Sequence, residues 1–168
     1  MHSKNWVIGC VALALTAGAW VAEGIEIGAG ARYFKTIDEL DGPFEESGLA
    51  PLLTIRGELA SLLHLQADLV LYPDGYAGSN KDVFAPEGFL LLGKGVYAGL
   101  GVGTLVADGD VGDPFFIARA GVNLELLPSL SLDINANYEF AEWDQVNTID
   151  KDADSDTITL GAALRLAL

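Results

Sequence analysis

Eight stretches of the chain alternate apolar and polar residues, and the clearest covers residues 130–140. Over this stretch every even position is apolar and every odd position is polar. A β-strand places successive side chains on opposite faces, whereas a helix would scatter the two classes around its circumference. The pattern therefore predicts strands with one apolar and one polar face. The predicted strands are 25–34, 52–60, 63–72, 86–93, 96–105, 115–126, 130–140 and 157–168.

Long and short connections alternate between the predicted strands. The short ones fall near Ser61-Leu62, Lys94-Gly95 and Leu127-Pro128-Ser129. A barrel strand needs about 9–11 residues to cross the outer membrane, with short periplasmic turns and longer external loops. The chain is therefore predicted to be all-β, an eight-stranded antiparallel up-and-down transmembrane β-barrel with both chain ends on the short-turn side. The predicted long connections are 35–51, 73–85, 106–114 and 141–156.

Alternation alone does not say which face points outward, because a lipocalin-like soluble barrel would keep its apolar face inside. The basic residues favour the membrane arrangement. All the arginines lie on the polar face in mid-strand, whereas the lysines lie in the N-terminal segment, in loops or in turns. Arginine keeps its charge when desolvated and forms forked bonds to carboxylates. The polar face is therefore predicted to line the lumen. Small residues on this face help a narrow lumen to close: Gly28, Gly30, Gly99, Gly101 and Gly103.

The lumen is the first candidate site, as a nearly balanced network of ion pairs. The turn at Ser61-Leu62 sets the register of the second and third strands, so Arg56 is predicted to lie opposite Gln66 or Asp68 and to form a buried pair there. The predicted members of the network are Arg32, Arg56, Glu58, Asp68, Arg119, Asp133, Glu139 and Arg165.

Aromatic residues gather at the long-loop ends of the strands, which predicts an interfacial girdle there. A thinner girdle at the other end would hold Tyr97 and Trp20. The residues of the predicted loop-end girdle are Tyr33, Phe34, Tyr72, Phe89, Phe115, Phe116, Tyr138, Phe140 and Trp143.

The N-terminal residues 1–19 are typical of a signal peptide, with Lys4 ahead of an apolar run. Cleavage is predicted after Ala19 or Gly24, which leaves residues 20–168 as the barrel domain. A short transmembrane anchor is the alternative. The chain is 51% hydrophobic and yet carries a net charge of −15, a combination suited to a barrel with charged loops. Nucleic-acid binding is excluded by this charge.

Acidic residues outside the strands concentrate in the long connections, and 150–156 is the densest stretch. Its D-x-D-x-D start suggests weak Ca²⁺ binding or bridging to lipopolysaccharide through cations. A true EF-hand is excluded, because Ser155 and Gly161 stand where that motif needs glycine and glutamate. The alternative is a solvated, self-repelling surface that keeps the protein soluble. No other cofactor is predicted. The candidate cation ligands are Asp150, Asp152, Asp154 and Asp156.

Together these strands and loops resemble the small eight-stranded outer-membrane barrels of the OmpA-transmembrane-domain, OmpX and opacity-protein type. In the last strand, Gly161, Leu164 and Leu166 are similar to the C-terminal signal of such barrels, although the chain ends in Leu168 where the family usually has an aromatic residue. Residues 93–97 are similar to a segment of YfaZ-type barrels. The resemblance implies a monomer in the outer membrane of a Gram-negative bacterium, in contact with lipid, lipopolysaccharide and the barrel-assembly machinery.

The predicted function is non-catalytic, with the acidic external loops serving a structural, adhesive or recognition role in the cell envelope. Two alternatives remain. Some barrels of this size modify lipid A, and such enzymes need a histidine with a serine and a carboxylate at the outer-leaflet end. Here His64 lies near a periplasmic turn instead. A narrow ion-conducting pore is the other alternative, although side chains fill the lumen of eight-stranded barrels.

Overall fold

The structure of the protein is a computed structural model, which describes residues 23–36, 47–72, 83–107, 110–140 and 157–168. These residues form strands, each joined to the next by antiparallel pairing. Among them, no helix is long and apolar enough to cross a membrane. The strands are β1 (Glu23–Thr36), β2 (Ser47–Ala60), β3 (Leu63–Tyr72), β4 (Val83–Gly93), β5 (Val96–Ala107), β6 (Asp110–Leu127), β7 (Leu130–Phe140) and β8 (Thr157–Ala167).

The sheet closes on itself through β1 and β8, which pair from Glu26↔Ala167 to Thr36↔Thr157. The eight strands thus form a closed antiparallel barrel, and the predicted fold class is confirmed. Closure gives every strand a paired neighbour on both sides, the condition for a sheet to cross hydrocarbon. The turns at 61–62, 94–95 and 128–129 lie at one end together with both described chain ends. We call this the turn end, and the opposite end the loop end.

Alternate residues of each strand face lipid and lumen, as the sequence predicted. On β7, Ile134 is 43% exposed whereas Asp133 and Asn135 are 0% and 3% exposed. The same arrangement is seen on β8, where the apolar Leu164 faces outward and the charged Arg165 is buried. A soluble barrel would instead bury its apolar side chains and expose its polar ones. The exterior is therefore solvated by hydrocarbon, and the buried polar residues occupy the lumen.

The β5–β6 connection differs from the prediction of a long loop over 106–114. Val106 pairs with Val111 and Ala107 with Asp110, so that only Asp108 and Gly109 separate the two strands. The Thr104 hydroxyl donates a hydrogen bond to the Gly112 carbonyl oxygen at 3.1 Å and helps to extend the hairpin. The Asp and Gly residues of this stretch favoured a loop, but an Asp-Gly pair between alternating residues is also the sequence of a two-residue hairpin. Strands β2 and β4 likewise begin earlier than predicted, at Ser47 and Val83.

The predicted aromatic girdles are largely wrong, because many of these rings lie in the lumen. At the loop end, Tyr33 and Tyr138 do face outward, and Phe116 and Phe140 stack with ring centroids 5.8 Å apart. Phe84, which was not predicted, joins this outer belt at 40% exposure. Trp20 and Trp143 lie outside the described residues. The rings that face the lumen or pack against its core clusters are Phe34, Tyr72, Phe89, Tyr97 and Phe115.

The seam between β1 and β8 depends on Gly30. A Cβ atom at this position would run into the Ala162 carbonyl oxygen and the Ala163 Cα atom, both of them backbone. We expect Gly30→Ala to force the seam apart and to destabilise the barrel by about 1–3 kcal/mol, the usual cost of overpacking. Urea titration of the heat-modifiable gel band would measure this loss.

Gly88→Ala is the matched control for Gly30→Ala. Gly88 lies on β4, and a Cβ atom there would meet nothing within 4 Å. We expect the unfolding midpoint of this variant to stay at the value of the unchanged protein. Equal midpoints for the two glycine variants would contradict the close approach at the seam.

Candidate functional site

An apolar plug occupies the loop end of the lumen. Phe34 and Tyr72 meet edge to face, with ring centroids 5.5 Å apart and an interplanar angle of 71°. Leu105 and Phe115 pack against the same cluster. Because its side chains are apolar and closely packed, the plug separates the polar lumen below it from the loop side. Its buried members are Phe34, Ala50, Leu52, Val70, Tyr72, Val83, Ala85 and Ala163.

Below the plug, Arg32 is the centre of a buried ion cluster. Its guanidinium donates two hydrogen bonds to Glu87, at 2.6 and 2.8 Å, in the forked geometry that arginine makes with a carboxylate. Asp68 and Glu139 each lie 3.5 Å from it. Strand β1 supplies the arginine while β3, β4 and β7 supply the acids, so the cluster ties distant walls of the barrel together.

Arg119 of β6 completes the ion cluster from the opposite side. Its Nη1 donates to Asp68 at 2.8 Å, and its Nε donates to the side-chain oxygen of Asn137. The guanidinium carbon lies 3.5 Å from the centre of the Phe89 ring, a cation–π contact in a desolvated site. Asp68 therefore contacts both arginines of the cluster.

A second cluster surrounds Asp133 nearer the turn end. Its carboxylate accepts hydrogen bonds from Arg165 at 3.0 Å, Tyr97 at 2.7 Å and Asn135 at 2.7 Å. Gln66 joins the two clusters, because its amide accepts from Arg165 at 2.9 Å and donates to Asp68 at 2.9 Å. A continuous chain of polar contacts thus runs through the lumen below the plug.

The structure places most, but not all, of the predicted network residues in the two buried clusters. Six of them lie in the two clusters, but Arg56 does not pair with Asp68, and that prediction is wrong. Arg56 does lie opposite Gln66, as predicted. Its guanidinium, however, lies over the Tyr97 ring, with the guanidinium carbon 5.3 Å from the ring centroid. Among the described residues no carboxylate lies within 4.0 Å of it. The six residues are Arg32, Asp68, Arg119, Asp133, Glu139 and Arg165.

Glu58 lies at the rim of the turn end rather than in the buried network. It is 3.8 Å from the Lys94 ammonium and 4.0 Å from the His64 ring. The candidate cation ligands Asp150, Asp152, Asp154 and Asp156 lie outside the described residues. Within the described strands and turns, no group of three His, Cys, Asp or Glu side chains is arranged to hold a metal ion.

Glu87 is the member that the sequence reasoning missed. The inward face of β4 is otherwise apolar, with Ala85 and Phe89 on either side of it, so alternation gave no sign that Glu87 points inward. Counting charges gave no sign of it either, since the predicted network already set four acids against four arginines; in the structure Glu87 takes the place in that balance that was assigned to Glu58. The buried lumen charges balance once Glu87 is included: Arg32, Arg56, Arg119 and Arg165 against Asp68, Glu87, Asp133 and Glu139.

The ion cluster closes the lumen to water. The side chains of Arg32, Asp68, Glu87 and Arg119 are all 0% exposed. Each is held by at least one contact shorter than 3 Å, and opening a passage would break buried charge pairs.

A closed eight-stranded barrel with an apolar exterior and a packed, charge-balanced lumen belongs to the class of small outer-membrane β-barrels. The solved structures with this fold include the following three. Neisserial surface protein A (NspA) superposes with a TM-score of 0.59 at 16% identity, covering 88% of this chain and 99% of NspA. OprG from Pseudomonas aeruginosa gives 0.54 at 14% identity, covering 88% and 97%. Ail of Yersinia pestis gives 0.50 at 14% identity, covering 87% and 99%.

At these identities the likeness establishes the fold alone. It confirms the predicted resemblance to small eight-stranded outer-membrane barrels, and it agrees with the predicted location in the outer membrane of a Gram-negative bacterium. No protein-family model and no curated protein matches the chain.

Proposed function

We propose that this protein is a non-catalytic outer-membrane barrel that serves adhesion or recognition through its acidic external loops. The observation that carries the proposal is the closed lumen, with an apolar plug above an ion cluster whose side chains are 0% exposed. A barrel with such an interior offers its partners only the lipid-facing wall and the two ends. The long connections at the loop end hold most of the acidic residues, and loops on a rigid scaffold are common sites of function.

The barrel would sit as a monomer among lipid and lipopolysaccharide, after cleavage of the signal peptide and insertion by the barrel-assembly machinery. Support for the lipid contact comes from large apolar side chains all around the outer wall, such as Leu53, Leu92 and Leu160. Support for a surface role comes from the fold shared with Ail, which is an attachment invasion locus protein.

The two alternative functions receive less support. A lipid-A-modifying enzyme needs its histidine at the loop end, whereas His64 lies at the turn end beside Glu58 and Lys94. A narrow pore would have to pass the ion cluster, where the pairs around Arg32 and Arg119 occupy the section between the plug and Asp133.

The proposal is tested with cells that carry either the unchanged barrel or one in which residues 37–46, 73–82 and 141–156 are replaced by short Gly-Ser linkers. We expect the unchanged barrel to increase adhesion to cationic and epithelial surfaces, and the linker variant to lose this increase while keeping its heat-modifiable gel mobility. Equal adhesion of the two would contradict the proposal. A change in lipid A mass would favour the enzyme, and single-channel conductance in planar bilayers would favour the pore.

A further inference from the structure

The loop end of β5 is joined to both neighbouring strands by an interrupted ladder of backbone pairs. On the β4 side, pairing passes from Glu87↔Gly103 to Phe84↔Val106, and the two described residues between them on each strand form no pair. On the β6 side, the register shifts between Thr104 and Val106. Both ladders are therefore broken at the same height, on the loop side of Gly103.

Proline residues explain the interruption. Thr104 lies opposite Pro114 on β6, and the spacing of the flanking pairs places Pro86 opposite it on β4. In an antiparallel sheet the N–H and C=O groups of one residue both point to the same neighbouring strand. On either side Thr104 therefore meets a proline, which has no N–H to donate. Neither of these described strands offers a ladder donor to the Thr104 carbonyl oxygen.

The β6 side of this row also carries a β-bulge. Between the pairs formed by Thr104 and Val106, β5 has one residue whereas β6 has two, Gly112 and Asp113. An extra residue bends the strand that carries it. The hydrogen bond from the Thr104 hydroxyl to the Gly112 carbonyl oxygen, 3.1 Å long, replaces part of the broken ladder with a side-chain contact.

The chain beyond the row forms a ribbon, which we define as residues 105–107 and 110–113. One pair in the described part of the chain joins the ribbon to β4, and the pairing of β6 with β7 ends below it. On its inward face, Leu105 and Ala107 pack against the plug. Few contacts therefore hold the ribbon in its present position.

The interrupted row lies at the outer surface of the membrane. Phe116, which belongs to the outer aromatic belt, is two residues from Pro114 on β6. Such a belt marks the interface between hydrocarbon and water. When the ribbon moves, its backbone groups meet water rather than hydrocarbon, so they keep hydrogen-bond partners.

We propose that the row of Pro86, Thr104 and Pro114 is a hinge, about which the ribbon pivots as a unit. In one position, which the structure shows, the ribbon lies over the plug. In the other it tilts away from the lumen, and its two apolar side chains leave the plug. Elements with few buried contacts open locally at a small cost in free energy.

The pivot changes the direction in which the ribbon presents its charge. Asp110 and Asp113 are exposed, and the tilt changes their height above the membrane and their distance from the lumen axis. The ribbon is therefore an acidic arm of adjustable direction on an otherwise rigid barrel.

The hinge is tested by double electron–electron resonance on the full chain in lipid nanodiscs, in a Cys10→Ser background. One spin label replaces Asp110 on the ribbon, and the other replaces Leu71, which faces outward on β3. A second pair, at Leu71 and Leu100, lies entirely in the barrel wall. We expect a broad or two-peaked distance distribution for the ribbon pair and one narrow peak for the wall pair. Equally narrow distributions would overturn the proposal.

Restoring the missing donor should hold the ribbon in place. Pro86→Val with Pro114→Val supplies an N–H on both sides of Thr104. It should lower the population of the tilted position about fivefold, the equilibrium equivalent of one net hydrogen bond. Because Thr104 faces a single neighbour, one of the two single variants should reproduce this effect and the other should not. The matched control is Pro51→Val, which adds an N–H at another exposed strand proline, opposite Ala31, and should leave the ribbon distribution unchanged.

Heat-modifiable gel mobility shows whether each variant folds. An unchanged ribbon distribution in the folded combined variant would overturn the hinge, as would equal effects of the two single variants or equal narrowing by Pro51→Val. If the combined variant does not fold, hydrogen exchange of the unchanged chain decides. Amides of the ribbon should then exchange together and faster than amides 96–103 of the same β5 strand, and exchange at the same rate would overturn the proposal.

Discussion

Replacing Arg32 with leucine is expected to destabilise the barrel by about 3–5 kcal/mol, the cost of removing one partner from a buried ion pair. The side chain is 0% exposed and contacts three carboxylates: Glu87 through two short hydrogen bonds, and Asp68 and Glu139 at longer range. Without it, these three buried charges face Arg119 alone. The loss should appear as a lower urea midpoint of the heat-modifiable band, at an unchanged slope.

Two further variants make this expectation specific. Arg32→Leu with Glu87→Leu should be milder than Arg32→Leu alone, because it removes the carboxylate that the single change leaves unpaired. Arg56→Leu should also be milder, since Arg56 has no ion pair among the described residues and its Nη1 lacks a hydrogen-bond partner. If Arg56→Leu proved as harmful as Arg32→Leu, the assignment of Arg32 as the centre of the cluster would be wrong.

Ile134→Arg is expected to cost about 2–4 kcal/mol and to impair insertion, because a charge at the bilayer midplane is poorly solvated. Ile134 lies near the middle of β7 and points outward, with Val122 and Ala162 as its neighbours on the adjacent strands. Refolding into lipid vesicles, followed by urea unfolding, would measure the loss.

The control for Ile134→Arg is the same change at an outward-facing position far from the bilayer midplane. Leu126 also faces outward but lies one residue from the turn end of β6, so Leu126→Arg should cost only about 0–1 kcal/mol. Asn135→Arg is unsuitable as a control because Asn135 is hydrogen bonded in the packed lumen. Labelling of single cysteines with a lipid-phase reagent should mark positions 134 and 136 and skip 133 and 135. Equal cost at Ile134 and Leu126 would contradict the membrane placement.

The sequence predicted the barrel because most strands have lipid on one face and a polar lumen on the other, so apolar and polar residues alternate along them. On β7, lipid faces the even positions and a polar lumen faces the odd ones, so the alternation is complete from Leu130 to Glu139. The same reasoning placed Arg32, Arg119 and Arg165 inside. The strand bounds of β3 and β7 were predicted to the residue: Ser61-Leu62 and Pro73 flank β3, and Pro128-Ser129 precede β7.

Prediction failed where the lumen is itself apolar. The inward face of β4 carries Ala85, Phe89 and Leu91, so both faces of that strand are apolar and Glu87 had no polar pattern around it. The aromatic residues failed for the same reason. Residue type suggested an interfacial position for Phe34 and Tyr72, whereas both are buried in the apolar plug inside the lumen.

The choice of ion-pair partners also lay beyond the sequence. Register places Arg56 opposite Gln66, as pairing across a hairpin predicts. A long side chain in a lumen, however, reaches across to other walls, and Asp68 is contacted by Arg119 from β6, 51 residues away. Such contacts depend on closure of the barrel, which no local spacing encodes.

The extended β5–β6 hairpin leaves part of one strand with a free side. Strand β6 has 18 residues, against about 10 that suffice to cross the bilayer. Its pairing with β7 ends at Phe116↔Phe140, whereas its pairing with β5 continues to Asp110. Within the described part of the chain, the β7 side of residues 110–115 therefore has no strand beside it.

A free strand side can pair with another chain, and barrels otherwise avoid this by having no edges at all. Here the exposed segment carries Pro114, which has no N–H to donate, together with the exposed acids Asp110 and Asp113. A strand from a second barrel would lose a ladder hydrogen bond at the proline and would meet like charges along an acidic surface. We therefore expect residues 110–115 to be a poor template for strand pairing with a second barrel.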